Sequence, residues 1–145
     1  PFDLSDPEKT DPAARNRIVK QGFDTLLASQ PPLLMHPADA ARISIGNLED
    51  DFETLSGCDW IVEVVVENLD IKRELLKRIE PVRRKGSIVS TNTSGIPLHA
   101  MSEGLSSEFR QHFLGTHFFN PVRYMRLLEL VAGEHTAARR MVMVK

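Results

Sequence analysis

A single cysteine, Cys58, in 145 residues can form no internal disulfide and cannot build a zinc site alone, which fits a reducing compartment and points to the cytosol. No apolar run approaches the roughly 20 residues that a membrane-spanning helix needs. Residues 1–7 carry no basic stretch followed by an apolar one, so no secretory signal is visible. Excess charge of one sign is lacking too. Lys and Arg number 18 against 20 Asp and Glu, leaving no net field to draw the chain onto nucleic acid or an anionic membrane. What is present is a globular composition, 41% hydrophobic and 26% charged, at a length that can bury a core. The chain begins at Pro1 rather than methionine, and residues 137–145 read as a helix interrupted after its first turns. It is therefore expected to be a piece of a longer protein, with a short natural protein lacking its start as the alternative.

Hydrophobic periodicity organises the chain. Asp11 and Pro12 make a helix start, an N-cap acceptor followed by a residue with no N–H to satisfy. Val19, Phe23, Leu26 and Leu27 then recur at helical spacing until Gln30-Pro31-Pro32 stops the helix. A helical turn over 37–41 leads to a brief strand over 43–47, and 50–56 reads as another short helix. Residues 60–66 are apolar except for Glu63, the pattern of a strand covered on both faces. An amphipathic helix over 70–82 follows, with Ile71, Leu75 and Ile79 on one face. Gly86 ends the connection to a second buried strand over 87–90, helical turns lie within 97–109, and a third strand spans 113–118. Alternating strands and helices predict a doubly wound, mostly parallel α/β sheet with right-handed crossovers. An apolar run over 127–131 follows too soon for a crossover helix, so it is expected to pair antiparallel.

Ligands of open parallel sheets bind beyond the carboxyl ends of the strands, so the polar residues there are the candidates. Glu67 and Asn68 follow the first buried strand, Thr91-Asn92-Thr93-Ser94-Gly95 the second, and His117 and Asn120 end the third. Each also has a plain structural reading. Asn-Thr-Ser-Gly is ordinary turn chemistry, and a histidine beside Phe118 and Phe119 can be a hydrogen-bonded, half-buried residue. Glu129, between Leu128 and Leu130, is either the solvent side of an edge strand or a carboxylate aimed at His117. Such a partner fixes the histidine tautomer and stabilises the imidazolium, as a general base requires. His36, His99, His112 and His135 are expected on solvated loops and helix surfaces, and no ligand spacing predicts a metal. Cys58 has no basic neighbour to make it a nucleophile.

Gly115-Thr116-His117-Phe118-Phe119-Asn120-Pro121-Val122, followed by Leu127-Leu128-Glu129-Leu130-Val131, resembles the catalytic signature of the 3-hydroxyacyl-CoA dehydrogenase family. Val65-Val66-Glu67-Asn68-Leu69-Asp70-Ile71-Lys72 and Ser90-Thr91-Asn92-Thr93-Ser94 match it in the same order. The likeness covers about residues 43–133. It implies NAD as cofactor, an acyl-CoA substrate, a role in fatty-acid oxidation, and a homodimer for the full-length protein. It implies that His117 takes the proton from the substrate 3-hydroxyl while Glu129 orients it. Ser94 would bond near the reacting oxygen and the nicotinamide, and Asn120 would hold the acyl-CoA near its thioester. Glu67 and Lys72 would contact the cofactor's ribose and phosphate side, with Asn92 near the nicotinamide ribose.

The family's pyrophosphate turn, Gly-x-Gly-x-x-Gly at a helix N-terminus, occurs nowhere in this sequence. The expected fold is thus a Rossmann-like sheet lacking its first strand–glycine turn–helix unit. Residues 1–136 would form this partial NAD-binding domain, and 137–145 the start of a helix leading to a C-terminal domain. The chain alone is expected to have little or no activity. Two alternatives stand beside this: a non-catalytic structural or interaction fragment of the fold, and a related dehydrogenase acting on a sugar acid.

Overall fold

The computed structural model describes residues 2–3 and 12–143. They fall into two compact units, one of Pro1–Glu53 with Asn120–Arg126, the other of Thr54–Phe119 with Leu127–Lys145. In the first unit, β1 (Phe2–Asp3) pairs in parallel with β2 (Gly46–Asn47). The expected first helix is two: α1 (Pro12–Arg15) and α2 (Arg17–Ala28), broken at Asn16. The expected cap, Asp11, lies outside the described residues.

Asn16 and Asn47 explain the local path. The Asn16 side chain accepts a hydrogen bond from Asn47 Nδ2 at 2.8 Å. Asn47, fully buried, accepts from the backbone N–H groups of Glu49 and Asp50 on its own oxygen, both at 2.9 Å. A short polar side chain that bonds nearby backbone favours such turns over continued helix. The strand expected over 43–47 shrinks to its last two residues. The Ile43 N–H closes a 3₁₀ turn, Pro37–Arg42, by bonding the Ala40 carbonyl at 3.1 Å. His36 caps that turn, its Nδ1 accepting from the Ala38 N–H.

The second unit is built on a four-stranded sheet in the order β3–β4–β5–β6. The strands are β3 (Trp60–Glu63), β4 (Ile88–Thr91), β5 (Phe113–Phe118) and β6 (Leu128–Ala132). The first three are parallel and β6 is antiparallel to β5, as the spacing of the apolar runs implies. Helix α3 (Leu69–Val82) crosses from β3 to β4, and α4 (Leu98–Met101) and α5 (Ser107–Gln111) lie between β4 and β5. Gly86, with φ of +85°, makes the turn into β4 in a conformation that side chains with a Cβ rarely adopt. Helix α6 (Ala138–Met143) follows β6. Among the described residues, no helix is long and apolar enough to cross a membrane.

Three expectations need correcting. The run over 60–66 is not covered on both faces. Its strand ends at Glu63 and alternates, with Ile61 and Glu63 inward, Trp60 and Val62 outward, and Val64 and Val66 exposed beyond it. Only one of its faces is covered, and Glu63 lies on that face. The buried side of α3 likewise includes Lys72 with Leu75, Leu76 and Ile79, while Ile71 faces outward. The cause is the same ion pair, since the Lys72 ammonium reaches the Glu63 carboxylate at 2.9 Å. Finally, His112 is buried rather than solvated. Its Nδ1 donates to the Glu108 carbonyl at 2.8 Å, which leaves Nε2 as the acceptor facing the Arg140 guanidinium of α6.

The hydrophobic core of this unit centres on Phe109, Leu76, Val89, Met101 and Leu114, all without exposed surface. Phe109 meets Phe113 at 5.8 Å between ring centroids, and the Arg83 guanidinium covers its other neighbourhood at 5.0 Å. Phe109→Ala removes a large buried ring and a cation–π contact at once, and should cost about 3–5 kcal/mol. Urea unfolding of the variant checks this, and a loss below about 1 kcal/mol would show that the site collapses around the smaller side chain.

Candidate active site

The parallel register brings the carboxyl ends of β3 and β4 level, Glu63 with Thr91, while β5, in register through Thr91 with Gly115, runs on to Phe118. Every candidate of the second unit sits at or just beyond this line. Asn68 is the N-cap of α3, accepting from the N–H groups of Asp70 and Ile71 at 3.0 and 3.2 Å. Asn92 ties two strand ends together. Its N–H donates to the Glu63 carbonyl, and its side-chain oxygen accepts from the Phe118 N–H, both at 2.9 Å. Ser94 is exposed, at the tip of the loop after β4.

Glu67 reaches across to that loop. It accepts from the Thr93 hydroxyl and from the Gly95 N–H at 3.3 Å, and lies 3.4 Å from the Lys72 ammonium. These contacts, the Thr93 hydroxyl foremost, hold its carboxyl below the usual carboxylate range against a smaller opposing effect of desolvation. Lys72 itself is 1% exposed, and its ammonium donates to both Glu63 oxygens and to the Val65 carbonyl. Sequence reasoning missed Glu63 as a participant. A carboxylate inside an apolar strand is too costly to bury alone, and that was the available signal for a cationic partner on the next helix.

His117 and Glu129 are directly opposed across β5 and β6. The imidazole Nδ1 lies 2.8 Å from Glu129 Oε2, and the ring packs on Phe119 at 4.7 Å. With Nδ1–H donated to the carboxylate, Nε2 is the nitrogen left to accept a proton. Antiparallel neighbours place opposed side chains on one face, so the pair follows from the register. Gly115 lets the two strands come close, since a Cβ there would sit 3.1 Å from that of Val131. A cleft of about 250 Å3 collects Ser94, His117 and Glu129 with Thr93, Ile96 and Leu98. A hydroxyl, an imidazole and a carboxylate around an apolar-walled cleft can position an alcohol and take its proton. Asn120 belongs to the other unit, where it is exposed and precedes a cis peptide to Pro121.

Glu67 supplies a test of these electrostatics. Because its pKa is lowered in the fold, its contribution to stability is present at neutral pH and fades as pH falls through the folded value. Thr93→Val should return the Glu67 carboxyl toward the ordinary range, so that the variant loses less stability on acidification than the parent. A carboxyl carbon titration by NMR reads the shift directly, and identical midpoints in both proteins would refute the Thr93 assignment.

Residues 8–144 match the family model described as the NAD-binding domain of 3-hydroxyacyl-CoA dehydrogenase. A probable 3-hydroxyacyl-CoA dehydrogenase of Bacillus subtilis is 48% identical over 122 residues, 84% of this chain and 16% of the relative. One from Deinococcus radiodurans is 42% identical over 135 residues, 93% of this chain and 38% of the relative. The chain thus spans well under half the length of these relatives. Among solved structures, (S)-3-hydroxybutyryl-CoA dehydrogenase of Ralstonia eutropha is 28% identical with a TM-score of 0.69, covering 99% of this chain and 48% of that one. The 3-hydroxybutyryl-CoA dehydrogenase of Escherichia coli shares the fold, with a TM-score of 0.71 over 94% of this chain and 29% of that one, at 24% identity. The chain, a mixed α/β unit with a mostly parallel sheet and an antiparallel His–Glu strand pair, belongs to the 3-hydroxyacyl-CoA dehydrogenase family as its NAD-binding domain.

Proposed function

We propose that the protein carrying this chain oxidises a 3-hydroxyacyl-CoA to the 3-ketoacyl-CoA with NAD, as a step of fatty-acid oxidation, and acts as a homodimer. The observation that carries the reading is the 2.8 Å contact of His117 Nδ1 with Glu129 at opposed strand positions. His117 takes the 3-hydroxyl proton on Nε2, and Glu129 holds the ring in that tautomer and stabilises the imidazolium as it forms. NAD, when bound, would supply the acceptor for the hydride leaving the same carbon. Ser94, on the same cleft as His117, would hydrogen-bond near the reacting oxygen and the nicotinamide. Asn120 holds the substrate near its thioester.

The residues present suit the cofactor. Glu67 is an exposed carboxylate kept ionised by its hydrogen bonds, and its remaining lone pairs fit a ribose hydroxyl donor. Asn92 would lie near the nicotinamide ribose. Because the 145 residues contain no Gly-x-Gly-x-x-Gly turn, activity is measured on the full-length protein, and the chain alone is expected to turn over little or nothing.

His117→Gln in the full-length protein should lower kcat for 3-hydroxyacyl-CoA oxidation by about 10²–10⁴-fold, the scale of general base catalysis, with little change in melting temperature. Wild-type turnover in that variant would remove His117 from the mechanism. Comparing rates on the acyl-CoA and on the same hydroxy acid without CoA checks the substrate class, and equal rates would point to a small hydroxy acid instead.

A further inference from the structure

We propose that Arg123 and Tyr124 are positioning residues for Asn120: they fix its loop by gripping backbone carbonyls of Pro32 and Leu34, far earlier in the chain. The functional half rests on the reading of Asn120 as the residue that holds the acyl-CoA near its thioester. The geometric half stands on the first unit alone, which contains both segments.

Neither segment has a hydrophobic anchor. None of residues 29–37 is buried, and in the loop 120–126 every residue but the half-buried Arg123 is exposed. Pro31 and Pro32 also have no N–H to donate, so carbonyls are the handles that this stretch offers. The later loop takes them. Arg123 donates through Nη1 to the Pro32 carbonyl at 2.9 Å and to the Leu34 carbonyl, and the Tyr124 hydroxyl donates to the Pro32 carbonyl at 2.8 Å. A carbonyl oxygen has two lone pairs, so Pro32 can serve both donors. The Arg123 guanidinium also lies over the Tyr124 ring, 5.4 Å from its centroid, and the two side chains brace each other.

The grip reaches Asn120 through one turn. The N–H groups of Tyr124 and Met125 donate to the Pro121 carbonyl at 2.9 and 3.0 Å. Holding Arg123 and Tyr124 therefore holds Pro121, the residue that follows Asn120. Asn120 lines a cleft of about 490 Å3 whose walls come from both segments, Leu26 and Leu33 from the earlier one and Pro121, Val122 and Arg123 from the later. The separation of those walls, and the place of the Asn120 amide between them, is what the three hydrogen bonds set. An apolar trough carrying one amide suits the thioester-bearing arm of an acyl-CoA. Both hydrogens of Arg123 Nη1 are committed to the fold. Direct pairing of this arginine with a CoA phosphate is the competing role, and substrates with and without the phosphates separate the two.

The test compares Arg123→Met and Asn120→Ala in the full-length protein. A structural role alone moves only the melting temperature. Positioning predicts a folded Arg123→Met protein with the parental dissociation constant for NAD. Its KM for the 3-hydroxyacyl-CoA, and the dissociation constant of that ester measured by calorimetry without NAD, should rise about 10-fold, the scale of a lost hydrogen bond from a charged donor, with a smaller change in kcat. The same loss should appear with the pantetheine thioester, which lacks the nucleotide phosphates. A loss confined to the CoA ester would make Arg123 a phosphate contact and overturn the proposal. Amide hydrogen exchange at Tyr124 and Met125 should quicken in the variant. Adding Asn120→Ala to it should weaken acyl-CoA binding far less than in the parent, because the two act through one contact. Parental acyl-CoA affinity, parental exchange or an undiminished effect of Asn120→Ala in the folded variant would each refute the positioning role. Should Arg123→Met not fold, Tyr124→Phe removes one hydroxyl and keeps the ring, and it should raise the same constants about 2- to 5-fold, an unchanged value counting against the idea. The Asn120 reading fails separately: Asn120→Ala in the parent would leave acyl-CoA affinity unchanged while Arg123→Met still loosened the loop, which removes the functional half and leaves the anchoring.

Discussion

The buried pair of Glu63 and Lys72 is the interaction on which the second unit's geometry turns. An unpaired charge in that position would be prohibitive, so the strand that carries Glu63 and the helix that carries Lys72 are obliged to meet in one way. That obligation sets the rotation of α3 about its axis, which is why Lys72 faces inward and Ile71 outward. It sets the inward face of β3, which is why three valines of an apolar run end up exposed. The Thr91 hydroxyl extends the same network into β4 and aligns the two strand ends. The candidate cofactor residues emerge from this line of closed hydrogen bonds.

A second constraint works across β5 and β6. Side chains alternate with period two along a strand, so a slip of one residue would send Glu129 to the opposite face from His117. The register is instead held over five paired positions, from Leu114 with Ala132 to Phe118 with Leu128. The absence of a Cβ at Gly115 permits close approach at one of them. The imidazole–carboxylate contact is thus a property of strand pairing and needs no mobile loop to form it. Glu67 and Ser94, by contrast, lie on connections, where hydrogen bonds to neighbouring loops must supply the order that pairing supplies elsewhere.

Much of this was legible in the sequence where periodicity was clean. The strand over Phe113–Phe118 appears with the expected bounds, α3 begins one residue early, and the last strand pairs antiparallel as its short connection requires. The His117–Glu129 contact was readable as one of two alternatives, because an acidic residue between two leucines has only two faces to choose from. The misreadings share a physical origin. Apolar content predicts burial at residues 60–66 and at Ile71, whereas a charged pair takes the inward positions and leaves apolar residues outward. The burial of His112 depends on Glu108 and on Arg140, 28 residues further along. Interactions between side chains distant in sequence leave no periodic trace.

Two side-chain pairs of this unit, Lys72 with Glu63 and His117 with Glu129, differ in their access to water. Lys72 and Glu63 are sealed from water, where attraction is strong and no solvent competes. His117 and Glu129 keep 28% and 54% of their side-chain surface exposed. There the attraction is weaker and screened, and the imidazole stays open to the cleft. A sealed pair can hold a shape, and an open pair holds little on its own. The chain places the sealed pair at the ends of β3 and β4 and the open pair at a strand register, so the group proposed to react need not also be the group that supports.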